Sequence, residues 1–234
     1  HIMAGRLPKP GRISLSPMLS YRGKLCGDLT VACLDENEFM VFGSGAAQEM
    51  HKRWFDSHLD RFNLNYKNRS DEFHGLSIAG PNSRKVLEKI VRDDVSNEKF
   101  KFRDSRRMFV GGVPAIINRI SFTGELGYEI YVAPHYQLKL YEELIKAGKE
   151  FNIKPFGGRA LMSMRLEKNW GAWTLDYRPD FTAKETGLDA FINWDKEFIG
   201  KESAQKENSS NKLIPLIVET LSLIHISEPT RPIA

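Results

Sequence analysis

Two acids stand where residue type and spacing can do chemistry. Glu125 lies in SFTGELGYEIYVA, Ser121 to Ala133, which reads as a strand entering a turn, one acid between two glycines, and a second strand leaving. A carboxylate there can accept two parallel N–H donors from an aminopyrimidine edge, a bidentate and charge-assisted arrangement. The competing reading, a solvated acid in an exposed hairpin turn, is the one pattern alone favours. Asp28 lies in the strand-like segment Leu25 to Leu34, where period-two alternation puts Leu29, Val31 and Cys33 on one face and Cys26, Asp28, Thr30 and Ala32 on the other. The second face carries small residues around one carboxylate. It suits the wall of a ligand cavity with Asp28 as acceptor or base, or else an exposed polar face, which again pattern alone favours.

Other features point less sharply. Arg165 follows Leu161 and Met162 by four and three residues, so it falls on the apolar stripe of a helix and needs a carboxylate or a ligand anion; a structural salt bridge is the preferred partner. GSGAAQ, Gly43 to Gln48, places backbone N–H groups between a strand and a helix, but it lacks the third glycine of a dinucleotide fingerprint. The histidines form no HExxH pattern and no GxSxG elbow occurs, which removes metalloprotease and serine-hydrolase readings. Cys26 and Cys33 form no CxxC pair and are expected to be reduced thiols in the core, with no metal site.

The elements that must position these residues follow from periodicity. Arg12 to Ser16 and Lys24 to Leu34 alternate like strands, and Glu38 to Phe42 closes a hairpin after Asp35-Glu36-Asn37. A helix is expected over Ala46 to Leu59, with Met50, Trp54 and His51, Phe55 at helical spacing. Leu64 to Tyr66 and Phe73 to Ile78 read as strands, and GPNS at Gly80 to Ser83 as a turn and cap for a helix to about Val91. Arg106 to Val110, Val113 to Phe122 and Gly127 to Val132 give three more strands, with helices at His135 to Lys149 and Gly158 to Lys168. The fold class is therefore α+β with mainly antiparallel sheets and packed helices.

Of the 234 residues, 41% are hydrophobic and 27% charged, which excludes disordered and fibrous classes. No apolar run approaches the roughly 20 residues of a membrane span, and a cytoplasmic protein is expected. A net charge of +4, spread along the chain, gives no nucleic-acid footprint, though a small anionic ligand fits.

Four stretches taken together resemble a known family. They are GRISLSPMLSYRGKLCGDLTVACL, GLSIAGPNSRKVLEKI, NRISFTGELGYEIYVAP and ALMSMRLEKNWGAW followed by TGLDAFINWDKEFIGKESA. In this order they are similar to the folate-binding domain shared by the glycine cleavage T protein, an aminomethyltransferase, and the C-terminal half of dimethylglycine and sarcosine dehydrogenases. The resemblance covers most of Gly11 to Val218. It implies a T-protein-type folate-binding domain at 1–207, incomplete at its N-terminus, then a linker and first strand of a further barrel at 208–220.

The same resemblance implies tetrahydrofolate as ligand, Asp28 as the catalytic acid, Glu125 on the pterin ring, and Thr30, Tyr128 and Arg165 among the cofactor-binding residues. An ionised Asp28 would orient the folate and take a proton as a folate nitrogen attacks an iminium or aminomethyl carbon. The implied product is 5,10-methylenetetrahydrofolate, made from a methylated-amine-derived one-carbon unit, with FAD held by an N-terminal domain outside this chain. The alternatives are a stand-alone aminomethyltransferase served by a lipoyl carrier protein, and a non-catalytic folate-binding iron-sulfur assembly factor. Two departures stand out. Leu161 in RALM replaces the arginine of the T protein's GARD, leaving Arg159 or Arg165 as substitutes for the folate tail, and Phe122 replaces the tyrosine before TGE. Leu161 and the ALMSMRLEK segment favour the dehydrogenase branch.

Both ends read as cut. The chain begins with His1 rather than Met, and LSLIHISEPTR, Leu221 to Arg231, matches the translation of a common transposase sequencing adapter. Leu221 to Ala234 is therefore expected to be a non-native tail and is set aside.

Overall fold

A computed structural model of the chain describes residues 1–216. Seven strands form two antiparallel sheets. The first joins β1 (Arg12–Leu19), β2 (Leu25–Asp35) and β3 (Glu38–Phe42) in chain order. The second takes the order β4 (His74–Ala79), β7 (Gly127–Val132), β6 (Val113–Asn118), β5 (Ser105–Val110). The α+β class with antiparallel sheet is what the sequence predicts, and the hairpins fall where the turn residues stand.

Each sheet is covered on its outer face. Helix α1 (Gln48–Leu59), entered through a 3-10 turn, lays Trp54, Phe55 and Leu59 against Leu29 and Met18 of the first sheet. Its buried stripe also carries His51 and His58, while Met50 is exposed. His51 pairs its Nε2 with the Cys26 carbonyl at 3.0 Å, tying α1 to β2 beside Asp28. Helices α2 (Ser83–Glu88) and α3 (Gln137–Gly148) cover the second sheet, with Val86, Leu87, Leu140 and Leu144 packed on Ile78, Ile117, Tyr128 and Ile130. Burying such side chains is worth about 1.5–3 kcal/mol each.

The remainder closes the open end. Helix α4 (Gly158–Glu167) leads into this part, where α5 (Ala183–Thr186) and α6 (Lys201–Lys206) bring Ala183 and Ala204 to a cluster of Trp173, Tyr177, Leu188 and Phe198 against Leu19 and Leu25. Thr182 and Glu185 form a capping box at the start of α5. Two expectations fail locally. Leu64 to Tyr66 is not a strand but loop, with Leu64 and Tyr66 exposed, because no neighbouring strand offers it a ladder. Lys212 to Leu216 also lacks strand structure and is held by the Leu213 N–H on the Glu185 carbonyl at 2.7 Å. The expected tail, Leu221 to Ala234, lies outside the described residues.

Candidate functional site: a cleft between the two sheets

Residues paired across an antiparallel ladder share a face. The pairs Pro17–Asp28, Leu15–Thr30, Thr30–Phe42 and Ala32–Met40 therefore set Asp28, Thr30, Met40 and Phe42 on one face of the first sheet, as the alternation of Leu25 to Leu34 predicts. In the second sheet, Ser105–Asn118, Asn118–Glu129, Arg107–Ile116 and Ile116–Tyr131 place Arg107, Asn118, Glu129 and Tyr131 together. These two faces meet. The rings of Phe42 and Tyr131 lie 4.4 Å apart, and Arg107 forms an ion pair with Glu38 across the gap. Each sheet thus brings one carboxylate, Asp28 or Glu129, to the inner side.

A wall of contacts runs round this cleft. Tyr131 donates its hydroxyl to Glu129 Oε2 at 2.8 Å. Lys168, just past α4, lies near enough to Glu129 for their charges to interact, donates Nζ to the Ser121 carbonyl at 2.8 Å and lies 4.8 Å from the Trp170 ring. Trp170 meets Tyr177 edge-on at 6.2 Å, and the Tyr177 phenol pKa is raised chiefly by burial, with the nearby Asp28 carboxylate adding to it.

The electrostatics of the two acids differ. Burial drives Asp28 up to about 7 from an ordinary 3.8, with its own backbone N–H opposing, and no side chain among the described residues pairs with it. Its cross-strand neighbour is Pro17, which has no N–H to offer. The sequence-based expectation of a fully ionised Asp28 is thereby corrected: near neutral pH both protonation states are populated. Burial also raises Glu129, which the Tyr131 hydroxyl and Lys168 counter. Tyr131 is pushed well above the usual phenol range by burial and by Glu129, and burial lowers the Lys168 ammonium.

The other expected site residues fall elsewhere. Glu125 is exposed in the turn before β7, and its side chain makes no hydrogen bond or ion pair among the described residues. Gly124 shapes that turn with φ +85°, and a Cβ on it would press on Lys168 at 3.1 Å. Tyr128 alternates with Glu129, so it points to the opposite face of the sheet. It is fully buried in the helix-covered core and stacked on Phe100, away from the face that carries Glu129. Arg165 is buried and donates to Asp176 at 2.5 Å and to the Trp170 carbonyl at 3.0 Å. Asp176 also accepts from the Ala172 N–H at 2.9 Å, so Arg165 fixes the 170–177 loop that brings Trp170 and Tyr177 to the cleft. That is the structural salt bridge the residue pattern preferred. Arg159 is exposed on α4. Thr30 lies beside Asp28 on the cleft face, and its hydroxyl has no hydrogen-bond partner among the described residues. Sequence reasoning missed Glu129. The same period-two count used for Asp28, run from Tyr128, Ile130 and Val132, would have found it.

The sheets and covering helices define an α+β domain, and its fold is shared with a solved structure. A crystal structure of glycine cleavage system aminomethyltransferase T from Bartonella henselae superposes with a TM-score of 0.75 at 21% identity, over 88% of this chain and 56% of that one. The chain belongs to the GCVT N-terminal domain family, whose model matches residues 1–196. It is 34% identical over 95% of its length to the mitochondrial dimethylglycine dehydrogenase of Homo sapiens and 36% identical over 94% to that of Mus musculus. It is 29% identical over 85% of its length to an aminomethyltransferase of Thermoanaerobacter pseudethanolicus. The chain spans 26% of the two dehydrogenases and 54% of the aminomethyltransferase. Among the described residues no helix is long and apolar enough to cross a membrane.

Proposed function

We propose that this chain is the tetrahydrofolate-binding, one-carbon-transfer part of a longer N-methyl amine dehydrogenase and that its product is 5,10-methylenetetrahydrofolate. The observation that carries the reading is the pair of partly buried carboxylates, Asp28 and Glu129, on facing sides of the two sheets beside Phe42, Tyr131 and Trp170. A flat heterocycle with several N–H donors fits such a site. Phe42, Tyr131 and Trp170 offer ring faces, and Glu129 offers a carboxylate for paired N–H donors. The Tyr131 hydroxyl holds Glu129 and the Lys168 charge offsets its desolvation, and on this reading Glu129 takes the binding role expected at Glu125. Asp28, near its midpoint at neutral pH and without a partner, takes up the proton released as a folate nitrogen adds to the donor carbon. The cleft holds donor and acceptor together, a contribution that often exceeds that of proton transfer. Thr30, two residues along the same strand and on the same face, would donate to the ligand.

The higher identity to dimethylglycine dehydrogenases, over nearly the whole chain, supports the dehydrogenase reading over the stand-alone aminomethyltransferase. FAD would then be bound by sequence outside this chain and would supply the oxidation that generates the one-carbon donor. The test is Asp28→Asn in the full-length enzyme. Methylenetetrahydrofolate formation falls while amine oxidation continues; unchanged formation removes the role assigned to Asp28. Turnover that needs a lipoylated carrier and no flavin would replace the dehydrogenase reading with the transferase one. Cell fractionation separates the expected cytoplasmic location from the mitochondrial one of the mammalian relatives.

A further inference from the structure

The two halves of the molecule repeat one plan. In the first, β1, β2 and β3 lie side by side in chain order and are followed by a 3-10 turn, Gly45–Ala47, and the 12 residues of α1. In the second, β5, β6 and β7 do the same and are followed by a 3-10 turn, Pro134–Tyr136, and the 12 residues of α3. The turns and helices match residue for residue. Carried back through the last strand, the same register sets Phe42 against Tyr131, Val41 against Ile130 and Phe39 against Tyr128. The ladders agree: Phe42 pairs with Thr30 and Thr30 with Leu15, as Tyr131 pairs with Ile116 and Ile116 with Arg107. The 4.4 Å contact between the Phe42 and Tyr131 rings is thus a meeting of equivalent positions.

The halves differ at one edge. In the second, β4 pairs with the outer edge of β7 and leads into α2, whose Val86 and Leu87 share a core with Tyr128 and Ile130; both of these are 0% exposed. In the first, no strand among the described residues pairs with the outer edge of β3. Phe39 and Val41, the counterparts of Tyr128 and Ile130, are 40% and 42% exposed. They alternate with Met40 and Phe42 and so lie on the helix-covered face, where with Lys52 and Phe55 of α1 they line a groove of about 470 Å³. Residues 66–70 and Phe73 border that groove but add no strand to the sheet. The Gly80 N–H donates to the Leu126 carbonyl at 2.9 Å, which makes Tyr128 and Ile130 the β7 residues bonded to β4. By the same register Phe39 and Val41 turn their backbone amides to the open edge. An apolar edge strand of this kind is where another strand adds. Sixteen residues separate α2 from β5, whereas eleven precede β1, too few to hold a counterpart of β4 and α2 at that spacing.

We propose that the β3 edge and its groove receive a strand–turn–helix from the sequence that precedes His1 in the longer protein. The strand pairs with β3 as β4 pairs with β7, and an aliphatic helix face covers Phe39 and Val41 as α2 covers its side of the second sheet. The proposal rests on the reading of the chain as part of a longer protein and not on its folate chemistry. The test is Val41→p-benzoylphenylalanine in the full-length protein, irradiated and then digested for mass spectrometry of the linked peptides. Linkage to a peptide ahead of His1 is the expected result. Linkage only to residues 66–73, to sequence beyond Leu216 or to a second copy, which doubles the mass, overturns the proposal, as does the absence of any linkage. Hydrogen exchange on the unmodified full-length protein is a second readout that needs no variant. The amides of Phe39 and Val41 should exchange at least about 100-fold more slowly than those of the exposed loop at 64–66; exchange at the loop's rate contradicts the proposal. A full-length protein without flavin-binding sequence would remove the dehydrogenase reading and leave this one standing, whereas one with no room ahead of His1 for a strand and a helix would remove this one.

Discussion

The two sheets deliver one acid each to the same cleft and treat it differently. On the first sheet Asp28 faces Pro17 across the ladder, has no side chain paired with it among the described residues, and is left at about 7. On the second, Glu129 is flanked by the Tyr131 hydroxyl at 2.8 Å and by Lys168. Desolvation acts on both, and only one is given groups that counter it. An acid without partners near its midpoint is suited to moving a proton; an acid held by a donor and a cation is suited to binding. The division of labour is written in the neighbours and not in the carboxylates.

The comparison can be broken at several points. The largest effect is expected for Asp28→Asn, which should lower one-carbon transfer about 10²–10⁴-fold, the usual share of a general acid or base. Tetrahydrofolate binding by the same variant should change little, as measured by titration calorimetry. The amide should also stabilise the fold at high pH. Because folding raises the Asp28 pKa, the folded state holds its proton longer than the unfolded state, so stability drains away as pH climbs from about 4 to 7. Asp28→Asn removes that loss and should gain on the order of 2–4 kcal/mol at pH 8, with no gain at pH 3, in urea unfolding. A flat difference across pH would mean that Asp28 is not desolvated.

On the other sheet, Glu129→Gln should weaken tetrahydrofolate binding by about 1.5–3 kcal/mol, the worth of a hydrogen bond to a charged group. Its effect on the chemical step should be no larger than that on binding. The smallest effect concerns an acid well supplied with partners outside the cleft. Glu185 accepts from the Thr182 backbone N–H at 2.7 Å and from the Ser209 hydroxyl at 2.7 Å, which hold it down to about 2. Its stabilisation is present above the ordinary carboxylate pKa of 4.5 and is lost as pH falls through that range towards 2. Glu185→Ala should cost about 1 kcal/mol at pH 7, in the range of capping losses, and almost nothing near pH 2.

Much of this was legible in the residues. The alternation of Leu25 to Leu34 gave the face of Asp28 and Thr30 correctly, because a strand with one covered face must keep its register. The helical spacing at Arg165 showed that a buried guanidinium needed a counter-charge, and Asp176 supplies it. What could not be read was how separate elements face one another. Glu125 drew attention because it stands between two glycines, yet a turn tip is where a side chain is most exposed. Glu129, four residues on, is drawn inward by the ladder, and that becomes visible once Tyr128 is seen in the core. Tyr128 lies one step of the alternation away, in the core rather than on the inner face. Leu64 to Tyr66 shows the converse limit: apolar residues in a row make a strand only where a partner strand lies beside them.

The most direct measurement is tetrahydrofolate affinity for the unmodified protein, Glu129→Gln and Glu125→Gln, taken side by side by calorimetry. The inter-sheet account predicts that Glu129→Gln binds about 10–100-fold more weakly while Glu125→Gln binds as the unmodified protein does. Weakened binding in Glu125→Gln with full affinity in Glu129→Gln would move the ligand from the cleft to the turn and contradict the account.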